Sequence, residues 1–323
     1  MRWLYWLDYV FLLRPAQFFP LWATYFSGYI TAQKSPFFFT AHFPWLASAA
    51  ITLTAGHIYL FNQIVDKESD KANGKLFILA DGYVSMPVVW SEGIVLVGLS
   101  LWLAWQVSIE FFYSALTLSA IGLSYSFLGL MNRPIISLAM NSLGGGVAFI
   151  AGAYSIPQSG LGGGSAFWEI LFWSVPHIFA YTAVSALVTL PDRKGDEAFG
   201  KRTVAVHYGV ETTLRLAWVF DGLALLTALL TWNGYVIGTI GLTALVALPS
   251  FWKVMWQGDA TEVFAPVKLA MLALTLLVSL FFPALLLLVV LNFAACKAYY
   301  RYRFGLDYPN FQKSSQPAFA EKA

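Results

Sequence analysis

Apolar residues run through this chain in long blocks, broken by short polar, glycine- or proline-containing stretches, not in the strict alternation of strands. A helix crossing a bilayer needs roughly 20 mostly apolar residues. Nine blocks meet that need: Pro15–Thr31, Pro44–Phe61, Val88–Val107, Phe111–Leu130, Ile135–Tyr154, Ile170–Leu190, Leu214–Thr231, Tyr235–Phe251 and Val267–Leu291. The breaks carry turn-forming residues: Pro36 and Pro44, Ser159-Gly160 with Gly162-Gly163-Gly164, and Trp232-Asn233-Gly234. The third block holds Glu92 near its start. The last is long and contains Pro283, so it is expected to tilt, kink or run out of the membrane. The pattern predicts an all-α, polytopic membrane helix bundle of about nine transmembrane helices.

Composition sharpens this. The 323 residues are 59% hydrophobic and 11% charged, where a soluble domain carries about 25% charged residues. A single soluble core cannot hide so much apolar surface. The net charge of +2 points to no nucleic-acid partner, and the single cysteine, Cys296, excludes an intrachain disulfide. Residues 1–14, with Asp8 inside a short aromatic-rich run, lack a signal-peptide cleavage pattern and read as an interfacial helix. Residues 15–292 read as one transmembrane domain and 293–323 as a partly disordered tail. Lys and Arg fall in the loops after the second, fourth, sixth and eighth blocks, which the positive-inside rule places in the cytoplasm, the inner-membrane face in a bacterium. Nine spans leave Lys297, Arg301 and Arg303 on the opposite side, against that rule.

The polar exceptions carry the chemistry. No Asp, Glu, Lys or Arg occurs from Ser35 to Val65; six charges then fall within ten residues, Asp66 to Lys75. On a helix, Asn62, Asp66 and Asp70 share one face. Their oxygens suit a hard cation such as Mg2+. A second uncharged block ends at Pro191, and Asp192 and Asp196 repeat the i, i+4 spacing with Arg193, Lys194, Lys201 and Arg202 around them. Charged loops between spans are ordinary, and either cluster alone reads more readily as a solvated loop. Matched spacing on the same expected side of the membrane points instead to a diphosphate bridged by metal, with the remaining oxygens on Lys or Arg.

These residues resemble the UbiA superfamily of intramembrane prenyltransferases. Asn62-x-x-x-Asp66-x-x-x-Asp70 is similar to its first Asp-rich motif, and Asp192-x-x-x-Asp196 followed by Gly200-Lys201-Arg202-Thr203 to its second. Leu13-Arg14-Pro15, and Tyr125-Ser126 with the trailing Arg133, resemble further family elements. There are departures. Gln63 stands where many members have another Asp. Leu76-Phe77-Ile78-Leu79-Ala80-Asp81-Gly82 replaces a basic stretch, and Gly129 and Met131 replace the usual proline and basic positions.

The resemblance implies a central cavity capped on the cytoplasmic side and an enzyme that transfers a polyprenyl group from an allylic diphosphate. It implies two Mg2+ ions, one on Asp66 and Asp70 with Asn62 assisting, the other on Asp192 and Asp196. Lys75, Arg133, Lys201 and Arg202 would contact the diphosphate, and Tyr125 would face the allylic carbon. The expected acceptor is a small aromatic of quinone biosynthesis; a tetrapyrrole or geranylgeranylglyceryl phosphate stands as an alternative. An ion-coupled transporter or an inactive scaffold homologue are readings of other classes, though transporters place ionisable groups at mid-membrane depth and these acids sit at span ends. His57 lies off the Asp face, which favours a structural or acceptor-side role. Gly144-Gly145-Gly146 reads as close helix packing rather than a phosphate cradle. Glu68 and Glu197 read as solvated or paired with neighbouring lysines.

Overall fold

A computed structural model describes residues 4–33, 43–72, 77–156, 167–257 and 264–309. The breaks expected at Pro36 and at 159–164, and the tail from 310 onward, lie outside them. Every regular element among the described residues is helical: α1 (Leu4–Leu12), α2 (Phe18–Gln33), α3 (Trp45–Ala72), α4 (Phe77–Ala80), α5 (Met86–Val107), α6 (Ile109–Phe127), α7 (Pro134–Tyr154), α8 (Phe167–Val188), α9 (Arg193–Ala198), α10 (Val204–Leu230), α11 (Gly234–Gln257), α12 (Phe264–Phe281) and α13 (Pro283–Phe304), with short 3-10 turns at Pro15–Gln17 and Leu130–Asn132. Six of them (α5, α7, α8, α10, α11 up to Trp256, and α13) are long and apolar enough to cross a membrane.

The long helices form an antiparallel bundle. At the seam between α2 and α7, backbone meets backbone. A Cβ on Gly28 would collide with the carbonyl of Phe149, and one on Gly152 with the carbonyl of Tyr25. Gly145 and Gly146 likewise receive Tyr181 and Ile178 of α8, so the glycine run serves helix packing. Tyr25, Phe26 and Phe111 are fully buried beside this seam.

The end of the bundle differs from the expected single span. The block Val267–Leu291 divides at Phe282, whose backbone leaves the helix (φ −127°, ψ 80°) and whose ring packs on Phe26 and Tyr29 of α2. Proline at the first position of α13 removes a donor that a helix start leaves unpaired in any case. The chain therefore returns along α2. Asn292 donates to the Pro15 carbonyl (2.8 Å), and Arg303 reaches Asp8 of α1. Lys297, Arg301 and Arg303 come back to the end that holds the other charged loops, and the sequence-level conflict with the positive-inside rule disappears. The expected tail boundary at 293 falls inside α13.

Candidate active site

α3 is the first wall of the site. It continues helical well past its last apolar turn, so Asn62, Asp66 and Asp70 rise on one face at the end of the bundle. Asn62 Nδ2 donates to Asp66 Oδ2 at 3.1 Å, which orients that carboxylate. The neighbouring Gln63 is buried and turns elsewhere: its Nε2 donates to the Leu12 carbonyl (2.7 Å) and to Tyr59 (3.2 Å). The position that departs from the family's acidic pattern is thus a structural tie to α1.

The second wall follows α8. Ser185 stands near the end of α8, Thr189 and Asp192 in the turn that follows, and Asp196 in α9; all four line the same cavity. Asp196 is 7% exposed. α9 ends in a left-handed turn at Gly200 (φ 68°), and the Lys201 amide donates back to the Asp196 carbonyl at 2.9 Å. This turn brings the Lys201 side chain over the site, where Nζ meets Asp66 Oδ1 at 2.7 Å. Past Thr203, Gly209 (φ 80°, ψ 173°) leaves helical geometry and kinks α10.

Between the walls lies a cavity of about 160 Å³ lined by Asp66, Asp70, Asp192, Asp196, Lys201 and Tyr125, together with Met131, Ser137, Asn141, Ser185, Val188, Thr189 and Thr203. The structure thus joins both acid pairs, Lys201 and Tyr125, with Asn62 behind Asp66. The Tyr125 hydroxyl lies 3.3 Å from that of Ser137. Arg133 and Arg202 are exposed and do not line the cavity. Lys75 is outside the described residues. Glu68 and Glu197 are exposed, and His57 is fully buried in the helix packing, away from the cavity lining. Sequence reasoning missed Ser137, Asn141, Ser185 and Thr189, and it named Thr203 only as the end of the second motif, with no role.

The donor set fits magnesium. Carboxylate oxygens face the cavity from two sides, and the Thr203 hydroxyl is buried with no partner in the protein. Among the described residues no three acidic, cysteine or histidine groups converge on one point. Mg2+ rarely uses an all-protein cage; it takes one or two carboxylates and completes its shell with water and substrate phosphates.

A sequence profile of the UbiA prenyltransferase family matches residues 21–270. No curated protein matches the chain significantly. Among solved structures, a UbiA homologue from Archaeoglobus fulgidus bound to GPP and Mg2+ superposes with a TM-score of 0.65 at 18% identity, covering 85% of this chain and 99% of that one. A structure described as digeranylgeranylglyceryl phosphate synthase gives 0.63 at 14% identity, covering 87% and 98%. An apo UbiA homologue from Aeropyrum pernix K1 gives 0.63 at 16%, covering 84% and 98%. These likenesses establish the fold, and the apolar helices make the chain an integral membrane protein.

Proposed function

Since this chain belongs to the UbiA prenyltransferase family, we propose that it is a Mg2+-dependent intramembrane prenyltransferase using an allylic diphosphate. One observation carries the reading: a single cavity at one end of an apolar bundle gathers Asp66 and Asp70 with Asp192, Asp196, Lys201 and Thr203. The A. fulgidus homologue binds GPP with Mg2+ in the same fold.

Asp66 and Asp70 on one wall and Asp192 and Asp196 on the other would hold the Mg2+. Bound Mg2+ supplies Lewis-acid neutralisation of the leaving group. Lys201 contributes a charge-assisted hydrogen bond to a phosphate oxygen, and the unpartnered Thr203 hydroxyl donates to another. The allylic C–O bond breaks with its electron pair going to the diphosphate. The prenyl carbon then bonds to the acceptor, which releases a proton. Tyr125, which lines the cavity beside Ser137, would face the prenyl carbon, and the surrounding apolar helices would keep water from the cation. Lys201 is the one cation among the described lining residues. An acceptor with its own phosphate would need another, so a small phenolic acceptor of quinone biosynthesis fits better than a glyceryl phosphate. The described Lys and Arg cluster toward the end that holds the acid clusters, which supports a cytoplasm-facing site in a cell membrane.

Calorimetric titration of the purified protein with geranyl diphosphate tests the reading. Binding that requires Mg2+ and is lost on adding EDTA is expected; binding indifferent to EDTA would contradict it.

A further inference from the structure

Both terminal helices, α1 and α13, lie outside the residues that match the family, 21–270, yet the structure locks them together beside the site. Asp8 is 1% exposed. Arg303 grips it in a fork, Nε to Oδ1 and Nη2 to Oδ2, both at 3.1 Å, and the Tyr299 hydroxyl donates to Oδ1 at 2.6 Å. The guanidinium also lies over the rings of Tyr5 of α1 (4.4 Å) and Tyr83, just past α4 (5.1 Å). Beneath the clasp Phe11 stacks on Tyr299 (3.8 Å between centroids, 5° apart). Ile78 and Leu79 of α4 and the lone Cys296 are buried in the same cluster.

This cluster takes in Leu60 and Ile64 of α3, before the acid pair, and α4 carries it to an exposed ion pair just after. Gln63, three residues before Asp66, is tied to the Leu12 carbonyl at the end of α1. Lys71, next to Asp70, pairs at 3.7 Å with Asp81, just past α4. The apolar Ile78-Leu79, standing where family members carry a basic stretch, is the surface that the terminal helices cover. We infer that the clasp of Asp8, Tyr299 and Arg303 is a positioning device, which fixes the acid face of α3 through Gln63 and α4. The inference rests on reading the cavity as a diphosphate site.

Cys296, the only cysteine in the chain, is a built-in reporter because it is buried in this cluster. Full-length protein in detergent is compared as wild type, as Tyr299→Phe, and as the double variant Asp8→Asn/Arg303→Gln, which removes both buried charges together. Melting temperature, maleimide labelling of Cys296 and calorimetric binding of geranyl diphosphate with Mg2+ are measured on each. The variants are expected to label faster and to bind geranyl diphosphate about 5-fold or more weakly. Saturating ligand is expected to slow their labelling by a matching factor, because coupling between two sites is reciprocal. A merely structural clasp would lower the melting temperature without that reciprocity. Faster labelling with wild-type affinity, or labelling indifferent to ligand, overturns the inference. If the double variant does not fold, Tyr299→Phe, which deletes one hydroxyl, decides alone. Failure of the wild type to bind the probe would instead overturn the diphosphate reading, and the inference with it.

Discussion

Lys201 Nζ lies 2.7 Å from Asp66 Oδ1, an ion pair between two side chains that are only 16% and 13% exposed. It joins the segment after α9 to α3, and Asn62 holds the other oxygen of the same carboxylate. A metal ion binding Asp66 would compete with the Lys201 ammonium for that carboxylate, and a released ammonium would be free to turn to a phosphate oxygen. Lys201 thus links the two acid clusters, and under the proposed reaction it would turn from Asp66 to the leaving group.

Lys201→Met separates these two tasks. Asp66 gains freedom for metal, so Mn2+ titrated into the empty protein is expected to bind at least as tightly as in the wild type. Geranyl diphosphate loses a hydrogen bond to a charged donor, worth about 1.5–3 kcal/mol or roughly 10- to 150-fold in affinity. A parallel loss of Mn2+ affinity would show that Lys201 only holds the site together.

Arg133 and Arg202 are expected to matter far less. Both are exposed and outside the cavity lining, so Arg133→Gln and Arg202→Gln should each change kcat/KM for the diphosphate by less than about 3-fold, under 1 kcal/mol. A loss comparable to that of Lys201→Met would place the arginine on the substrate.

Thr203 offers a buried hydroxyl with no protein partner. Thr203→Val should weaken geranyl diphosphate binding by about 1 kcal/mol, roughly 5-fold, while Thr203→Ser keeps it. Equal effects of both substitutions would indicate packing rather than a hydrogen bond.

The α2–α7 seam sets the fold's tolerance. Gly152→Ala drives a methyl into the Tyr25 carbonyl, an overpacking expected to cost about 1–3 kcal/mol and lower the melting temperature. Gly222 in α10 has open space around its missing Cβ, so Gly222→Ala should be neutral or stabilising by up to about 1 kcal/mol. The reverse order of melting temperatures would contradict the packing described.

Much of the fold and half of the site are legible in the sequence because helical period and bilayer thickness are fixed lengths. The stripe of Asn62, Asp66 and Asp70 follows from 3.6 residues per turn alone. Its convergence with Asp192 and Asp196 follows once the intervening blocks are counted as spans. The hydroxyls around them are different. Ser119 and Thr275, for example, bond to the Ala115 and Met271 carbonyls of their own helices, and Thr189 in the cavity wall does the same with Ala186. Nothing local distinguishes a lining hydroxyl from these. The fate of Pro283 was hidden for another reason. A proline permits a kink or a reversal, and the reversal is decided by Phe282 finding Phe26 and Tyr29, which are distant in sequence. Gln63 looked like a weakened motif position because its partner, the Leu12 carbonyl, is 51 residues away.

The most direct measurement is prenyl transfer itself. Purified protein is incubated with labelled geranylgeranyl diphosphate, Mg2+ and a panel of phenolic, tetrapyrrole and glyceryl phosphate acceptors, and the run is repeated with Asp66→Asn and Asp192→Asn. The predicted result is label on a phenolic acceptor, abolished by EDTA and reduced about 100-fold or more by either substitution. No prenylated acceptor from the panel, or transfer at wild-type rate by both variants, would contradict the account.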